Sequence, residues 1–168
     1  GDDLLIGDGT PSAIPLEEIP LARINENASL TDRLEVSNFT DMPTDAVTLE
    51  MVIDAPPPTR AVALSSYAVT GSTNEFTVFA LAPTQNVLRI LINGQVFDTT
   101  VPLGLLFDGT PHRLTISFDS LADTLAVYVD GVLAEEIVAA TGPITSGGTL
   151  VLGQDQDGTV PGGGFDPN

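Results

Sequence analysis

The stretch Thr124–Val138, TLAVYVDGVLAEEIV, carries the clearest structural signal in the chain. Two runs of apolar and β-branched residues flank Asp130-Gly131, a dipeptide that favours the type I′ turn of a β-hairpin because both of its residues take positive φ. The stretch Val87–Val101 repeats this pattern around Asn93-Gly94. Two hairpins of this kind predict an antiparallel β architecture.

The segments around these hairpins also have the periodicity of strands. Ala46–Ile53, Asn74–Leu81 and Arg113–Phe118 alternate apolar with polar side chains, as half-buried strands do. Thr149–Leu152 is a short apolar run with the composition of a buried strand. About ten short strands separated by turn residues, without helical periodicity, predict an all-β fold, an antiparallel two-sheet jelly-roll sandwich.

Composition limits the possible partners of the chain. Its 168 residues are enough for one domain with an adequate core. The net charge is −18, from 23 acidic and 5 basic residues, so we expect no binding to nucleic acid or anionic lipid, which require Lys and Arg. A hydrophobic content of 42% argues against disorder, and the absence of cysteine excludes disulfides. No apolar run is long enough to predict a membrane span.

An acidic, glycine-rich segment follows the last apolar run. Asp155, Gln156 and Asp157 come just after Gly153, and carboxylate, amide and main-chain oxygens are the ligands that Ca²⁺ prefers. The segment does not fit an EF-hand, because the best twelve-residue frame begins at Gly153 and ends at Gly164 instead of Glu. A solvated, turn-forming acidic loop is the alternative interpretation.

The first nine residues, GDDLLIGDG, fit one turn of a calcium-binding β-roll repeat at Gly1, Asp3, Leu5, Gly7 and Gly9. They resemble the glycine-rich arrays of secreted bacterial RTX proteins. One repeat cannot bury a core, so an acidic, turn-rich arm is an equal interpretation. Three prolines in the next eleven residues indicate a linker. We therefore divide the chain into an arm and linker over 1–24 and a jelly-roll domain over 25–168.

Four segments in this order resemble the pentraxin and laminin-G-like domains of the concanavalin A-like jelly rolls. They are AVTLEMVI at 46–53, SYAVTGSTNEFTV at 66–78, LFDGTPHRLTISFDSLADTLAVYVDGV at 106–132 and GTLVLGQDQDGTVPGGGFD at 148–166. The resemblance covers roughly Leu30–Asn168. The second and fourth segments favour the pentraxins over laminin-G-like domains in general.

The resemblance implies a calcium site on one face of the sandwich. Its ligands would be Asn74, Asp155, the main-chain carbonyl of Gln156, Asp157 and Asp166. Thr73 stands where the family has an Asp, and Asp155 is one methylene shorter than the family's Glu, so we expect one calcium ion rather than two. The family's disulfide is absent, and Glu50 and Thr115 lie near its two positions.

The residues that related glycoside hydrolases use are missing. Those enzymes carry their carboxylates as E-x-D-x-x-E on one strand, and no such run occurs here. Glu135 and Glu136 are adjacent, so in a strand they point to opposite faces. His112 is the only histidine, for which we expect a structural role. Without a second histidine or a cysteine, we expect neither a histidine-based zinc site nor a thiol nucleophile.

These observations predict a non-catalytic, calcium-dependent recognition module of a large extracellular bacterial protein, secreted or on the cell surface. The five donors are fewer than the roughly six to eight oxygens that calcium takes, which leaves room for an oxygen of a carbohydrate or another oxygen-rich ligand. The alternative is a structural subunit of a filament, adhesin or virion surface, in which calcium serves folding or assembly alone.

The resemblance also implies a closing strand after the acidic segment, whereas the sequence ends at Asn168. We expect the parent polypeptide to continue or a neighbouring chain to donate that strand, because free sheet edges recruit strands from other chains. The isolated chain should therefore self-associate or be unstable in light scattering and thermal melting at micromolar concentration. A stable, cooperatively melting monomer would contradict this and would favour closure by the Leu4–Ile24 arm.

Overall fold

The computed structural model describes residues 33–157 and 165–166, so the RTX-like repeat and the linker lie outside the described residues. Within this part the chain forms twelve strands and a 3₁₀ turn at Leu103–Leu105. The strands are β1 (Leu34–Phe39), β2 (Ala46–Ile53), β3 (Val62–Val69), β4 (Ser72–Leu81), β5 (Val87–Ile92), β6 (Gln95–Pro102), β7 (His112–Asp119), β8 (Thr124–Val129), β9 (Val132–Val138), β10 (Gly148–Leu152), β11 (Asp155–Gln156) and β12 (Phe165–Asp166).

These strands build two antiparallel sheets. The larger sheet has six strands in the order β1-β10-β3-β4-β5-β6, and the smaller has four in the order β2-β7-β8-β9. Strands β11 and β12 form a separate antiparallel pair. The prediction of an all-β, two-sheet sandwich is therefore confirmed. No helix in the described part of the chain is long and apolar enough to cross a membrane.

Both predicted hairpins are present with the expected turns. Asn93 and Gly94 join β5 to β6 with φ angles of 50° and 73°. Asp130 and Gly131 join β8 to β9 with φ angles of 51° and 78°. Positive φ at both central residues is the requirement of a type I′ turn, so the local sequence explains the geometry.

The core lies between the two sheets and is built by the alternation seen in the sequence. Every second residue of β7 and of β5 faces inward, while the residues between them face away from the core. The completely buried apolar side chains include Val78, Leu88, Ile90, Ile92, Leu114, Ile116, Phe118, Leu125 and Val127. Burial of each such side chain contributes about 1.5–3 kcal/mol to folding.

A polar contact joins β2 to β7 across the smaller sheet. Glu50 of β2 and Thr115 of β7 are directly opposite in the antiparallel register. The hydroxyl of Thr115 donates to Oε2 of Glu50 at 3.2 Å. The two residues that the resemblance places near the family's disulfide are therefore cross-strand neighbours joined by a hydrogen bond.

Strand β10 inserts between β1 and β3, and Gly148 makes this insertion possible. The Gly148 N–H donates to the hydroxyl of Tyr67 at 2.9 Å. Tyr67 is completely buried, and burial raises the pKa of its hydroxyl. Its ring meets that of Phe39 edge to face, with 6.4 Å between centroids. The start of β10 therefore lies against the backbone of β3 with no room for a side chain.

We expect Gly148→Ala to destabilise the fold by about 1–3 kcal/mol, the usual cost of overpacking. A Cβ atom at Gly148 would collide with the carbonyl oxygen of Ala68 and lie 2.9 Å from Cγ1 of Val69. Gly104→Ala is the matched control, because a Cβ there meets nothing within 4 Å. Urea denaturation measures both variants. Equal midpoints for Gly148→Ala and wild type would contradict the close approach.

Candidate functional site

The acidic segment begins where β10 ends and folds back over the six-stranded sheet. Gly153 makes the turn with a φ angle of 87°, and its N–H donates to the carbonyl of Leu64 at 3.1 Å. Strand β11 then packs against β3 and β4. Asp155 and Gln156, which form β11, are both buried, and Asp157 follows them at the exposed surface.

Gln156 fastens this segment to the sheet through its side chain. Its amide is fully buried, and Nε2 donates to the carbonyl of Ser66 at 2.7 Å and to that of Thr149 at 3.1 Å. Ser66 belongs to β3 and Thr149 to β10, so one amide joins the segment to two neighbouring strands. The resemblance assigns Gln156 a role for its main-chain carbonyl, whereas the structure assigns its side chain an anchoring role.

Asp155 lies at the centre of the segment. Its side chain accepts the N–H of Gln156 at Oδ1, at a distance of 2.9 Å. In the register of β11 and β12, Asp155 is opposite Asp166, so the backbone of the later acid lies across from that of the earlier one. Directly opposed residues of antiparallel strands are near neighbours. Two of the predicted ligands therefore occupy paired positions.

Asn74 comes from the other side of the site, on β4. Its Nδ2 donates to the hydroxyl of Thr73 at 3.3 Å. Because the amide nitrogen has this partner, Oδ1 is the end of the side chain suited to a cation or a donor. Thr73, where the resemblance implies an Asp, uses its hydroxyl to orient the neighbouring amide.

Asn74 and Asp155 line one open cavity of about 290 Å³, which we call the β4 groove. Its other lining residues are Ala61, Phe79, Leu81, Arg89 and Leu91. Phe79 and Leu91 alternate with core residues of β4 and β5, so the groove lies on the sheet face that points away from the core. A larger cavity of about 470 Å³ lies beside His112, away from all the predicted ligands. We take the β4 groove as the candidate site because two of the predicted ligands line it.

Arg89 gives the groove little net positive charge. Its guanidinium donates to both carboxylate oxygens of Asp98, at 2.5 and 2.8 Å. These hydrogen bonds raise the pKa of Arg89 and hold the pKa of Asp98 below its usual range. The sequence did not identify Arg89, Phe79 and Leu91 as lining residues of a site. Alternation of apolar and polar residues predicted only that they lie in strands.

The structure thus brings some of the predicted ligands together. Asn74 and Asp155 share the groove, Gln156 and Asp157 follow Asp155 directly, and the backbone of Asp166 pairs with Asp155. Within residues 33–157 no three His, Asp or Glu side chains form a group that could hold a metal. The side chain of Asp166 lies outside the description, so the calcium site stays a prediction.

Comparisons with known proteins agree with this architecture. A laminin-G family model, described as the concanavalin A-like lectin/glucanases superfamily, matches residues 27–166. Neuronal pentraxin-2 of Cavia porcellus is 38% identical over 103 residues, and neuronal pentraxin-1 of Homo sapiens is 36% identical over the same length. Each match covers 60% of this chain and 22% of the relative, so the chain spans about a fifth of the length of these proteins.

Solved structures with the same fold include the heptameric SAP-like pentraxin from Limulus polyphemus. The TM-score with this pentraxin is 0.60 at 22% sequence identity, and the superposition covers 80% of this chain and 62% of the pentraxin chain. Domains LG4-5 of the mouse laminin alpha1 chain give 0.58 at 13% identity, with coverages of 74% and 32%. NanB sialidase from Streptococcus pneumoniae gives 0.58 at 19% identity, with coverages of 72% and 21%, a likeness of fold alone. The pentraxin and laminin-G-like resemblance is confirmed.

A separate polar cluster surrounds His112 at one end of the four-stranded sheet. Nδ1 of His112 lies 2.8 Å from Oδ2 of Asp130, and Nε2 lies 3.2 Å from Oδ1 of Asp108. Asp130 also accepts the N–H of Arg113 at 2.8 Å, and Asp108 accepts the hydroxyl of Thr110 at 2.6 Å. The cluster ties the loop before β7 to the β8–β9 turn, which gives the sole histidine a structural role.

The two carboxylates raise the pKa of His112, Asp130 more strongly than Asp108. A raised pKa means that the protonated imidazole stabilises the fold fully below about pH 6.5, the ordinary value, and that this stabilisation is lost as pH rises through the folded pKa. The N–H of Arg113 is the main cause of the lowered pKa of Asp130, and hydrogen bonds from Thr110 lower the pKa of Asp108. The stability that these two carboxylates contribute to the fold is therefore lost only as pH falls into the acid range.

We therefore expect the melting temperature to fall as pH rises from about 5 to about 9, a range that brackets the ordinary histidine pKa. In His112→Gln this decline should largely disappear, because the chain has no other histidine. Melting curves recorded by circular dichroism at matched ionic strength measure both proteins. The same decline in wild type and variant would mean that His112 does not couple folding to pH.

Proposed function

Because the chain belongs to the concanavalin A-like lectin/glucanase superfamily, we propose that it is a non-catalytic, calcium-dependent module that binds a carbohydrate or another oxygen-rich ligand in the β4 groove. The observation that carries this proposal is the shared groove of Asn74 and Asp155. These residues are far apart in sequence, and the fold brings a carboxylate and an amide together in a groove whose other lining residues are apolar except for Arg89.

The residues that would hold calcium are the five predicted ones, through Oδ1 of Asn74, the carboxylates of Asp155, Asp157 and Asp166, and the carbonyl of Gln156. All five donors are oxygens, which suits a hard cation. When bound, calcium would supply positive charge and coordination positions for ligand oxygens. Two contacts support this donor set, because Gln156 anchors the acidic segment and Thr73 orients the Asn74 amide.

The remainder of the groove suits the less polar face of a small ligand. Phe79 and Leu91 offer an aromatic ring and an aliphatic side chain beside the acidic end. A volume of about 290 Å³ is at the lower limit for small-molecule sites, so the groove accommodates a single sugar ring or the end of a longer chain. The C–H face of a sugar can stack on Phe79 while its hydroxyls reach the metal position.

We propose binding without catalysis for this module. The relatives matched in sequence are pentraxins, and the sialidase is similar in fold alone. Glu135, one of the adjacent acids considered for catalysis, has another role. It accepts the N–H of Thr100 at 2.6 Å and the Thr100 hydroxyl at 3.0 Å, which links β9 to β6.

An extracellular setting, secreted or on the cell surface, completes the proposal. Calcium sites of extracellular modules commonly have dissociation constants of about 10⁻⁴–10⁻³ M, which a site with few protein donors can reach. The chain spans about a fifth of its pentraxin relatives, so we also propose that the module functions within a larger protein.

Calcium should stabilise the folded chain, by about 2.7 kcal/mol at a hundredfold excess over the dissociation constant. Asp157→Asn should lose most of the rise in melting temperature, because a direct carboxylate ligand is removed. Asp54→Asn removes the same charge from an exposed loop after β2 and should keep the rise. Equal responses of both variants would mean that the net charge of −18, not a site, attracts the ion.

A glycan array probed with the calcium-loaded chain tests the ligand. Binding that EDTA abolishes and that Asp157→Asn lacks supports the proposal. A melting temperature that neither millimolar calcium nor EDTA changes would remove calcium from it. Stabilisation by calcium without binding to any glycan would favour a structural role for the ion.

A further inference from the structure

The side chain of Asn93 lies among three main-chain carbonyls that local sequence patterns do not predict. Its Nδ2 donates to the carbonyls of Thr141 at 3.1 Å, Gly142 at 3.1 Å and Pro143 at 3.0 Å. An amide nitrogen has two hydrogens, so the three acceptors share them. Asn93 therefore does more than form a turn, because its side chain holds residues 141–143 against the β5–β6 hairpin.

The main chain of the same turn holds the residue of the candidate site on β4. The N–H of Gly94 donates to the carbonyl of Asn74 at 2.9 Å, and that of Asn93 donates to the carbonyl of Glu75 at 3.0 Å. The Glu75 side chain is only 6% exposed, and its carboxylate accepts the N–H of Thr145 at 3.1 Å. Asn93 and Glu75 thus tie the segment that leads into β10 to the part of β4 that carries Asn74.

We propose that Asn93 is a positioning residue of the β4 groove, and that its side-chain amide fixes the turn that holds Asn74 in place. This inference rests on the proposed function for its effect on calcium. The path is short, because residues 141–143 hold the Asn93 amide and the adjoining Gly94 N–H holds the Asn74 carbonyl. Residues that orient a metal ligand typically change metal affinity by roughly 10–100-fold when they are replaced.

The β8–β9 hairpin shows which substitutions of Asn93 are compatible with the turn. Asp130-Gly131 adopts φ angles of 51° and 78°, close to the 50° and 73° of Asn93-Gly94, so an aspartate is compatible with this turn. Asn93→Asp keeps the turn but removes the donor and places a carboxylate against three carbonyl oxygens. Asn93→Gly keeps the turn and removes the amide without adding repulsion. Asp130→Asn alters the other turn and leaves β4 untouched.

The test uses the full chain and two measurements at 25 °C, where circular dichroism confirms that each variant is folded. Calorimetric titration with calcium should show roughly 10–100-fold weaker affinity in Asn93→Asp and Asn93→Gly, and wild-type affinity in Asp130→Asn. Without calcium, NMR should show a displaced Asn74 side-chain amide resonance and faster exchange of the Gly94 N–H in the two Asn93 variants alone.

Three results separate the possibilities. A lowered melting temperature with unchanged calcium affinity and an unchanged Asn74 resonance would overturn the inference and leave Asn93 a purely structural residue. Wild-type chain that binds no calcium would overturn the proposed function, while a displaced Asn74 resonance would still support the positioning role. Equal losses of affinity in the Asn93 variants and Asp130→Asn would assign the effect to general destabilisation, which also overturns it.

Discussion

The buried side-chain amide of Gln156 is the interaction on which the candidate site depends. A buried donor without an acceptor costs about 1–3 kcal/mol of folding free energy. The Gln156 amide avoids this cost by donating to the carbonyls of Ser66 and Thr149. Because these acceptors lie on β3 and β10, one buried amide joins the acidic segment to both strands. The position of Asp155 at the groove follows from this bond and from the turn at Gly153.

Hydrogen bonds of this kind replace covalent links elsewhere in a chain that has no cysteine. Thr115 and Glu50 join β2 to β7, and Asn93 joins a hairpin to residues 141–143. Such bonds are directional but individually worth only about 0.5–1.5 kcal/mol. The apolar core therefore supplies most of the stability, and the polar contacts determine where the loops lie.

Local sequence predicted the strands well because strand alternation and turn chemistry are local properties. The bounds of β2, β8 and β9 agree with the sequence prediction, and both hairpin turns have the expected positive φ angles. Contacts between residues that are distant in the sequence could not be predicted from these local patterns. The acids beside His112 were not expected, because they come from a loop and from a separate hairpin. For Asn93 the sequence indicated its backbone conformation and not its three carbonyl partners.

The site itself was predicted through resemblance more than through pattern. Asp155 and Asp157 are noticeable as an acidic segment, but no periodicity links them to Asn74, and the groove that unites Asn74 with Asp155 depends on the packing of β11 against β4. Phe79 and Leu91 lie on the outer face of the sheet, and alternation alone cannot tell a solvent-facing apolar residue from one that lines a ligand site. The resemblance to a family predicts which residues bind the metal. The residues that form the surface beside them, such as Phe79 and Leu91, are identified only from the three-dimensional structure.

Charge then determines what such a groove can attract. Arg89 is the positive group that lines it, and both oxygens of Asp98 already accept its hydrogen bonds, so it offers little attraction to an anion. With a net charge of −18 the chain repels anionic ligands over distances of about a Debye length, near 8 Å at physiological salt. In the proposed function a bound calcium ion therefore reverses the local potential where the ligand arrives, as well as coordinating its oxygens. In the proposed function a bound cation would offset this repulsion, and this role connects the acidic composition of the chain to the chemistry of the groove.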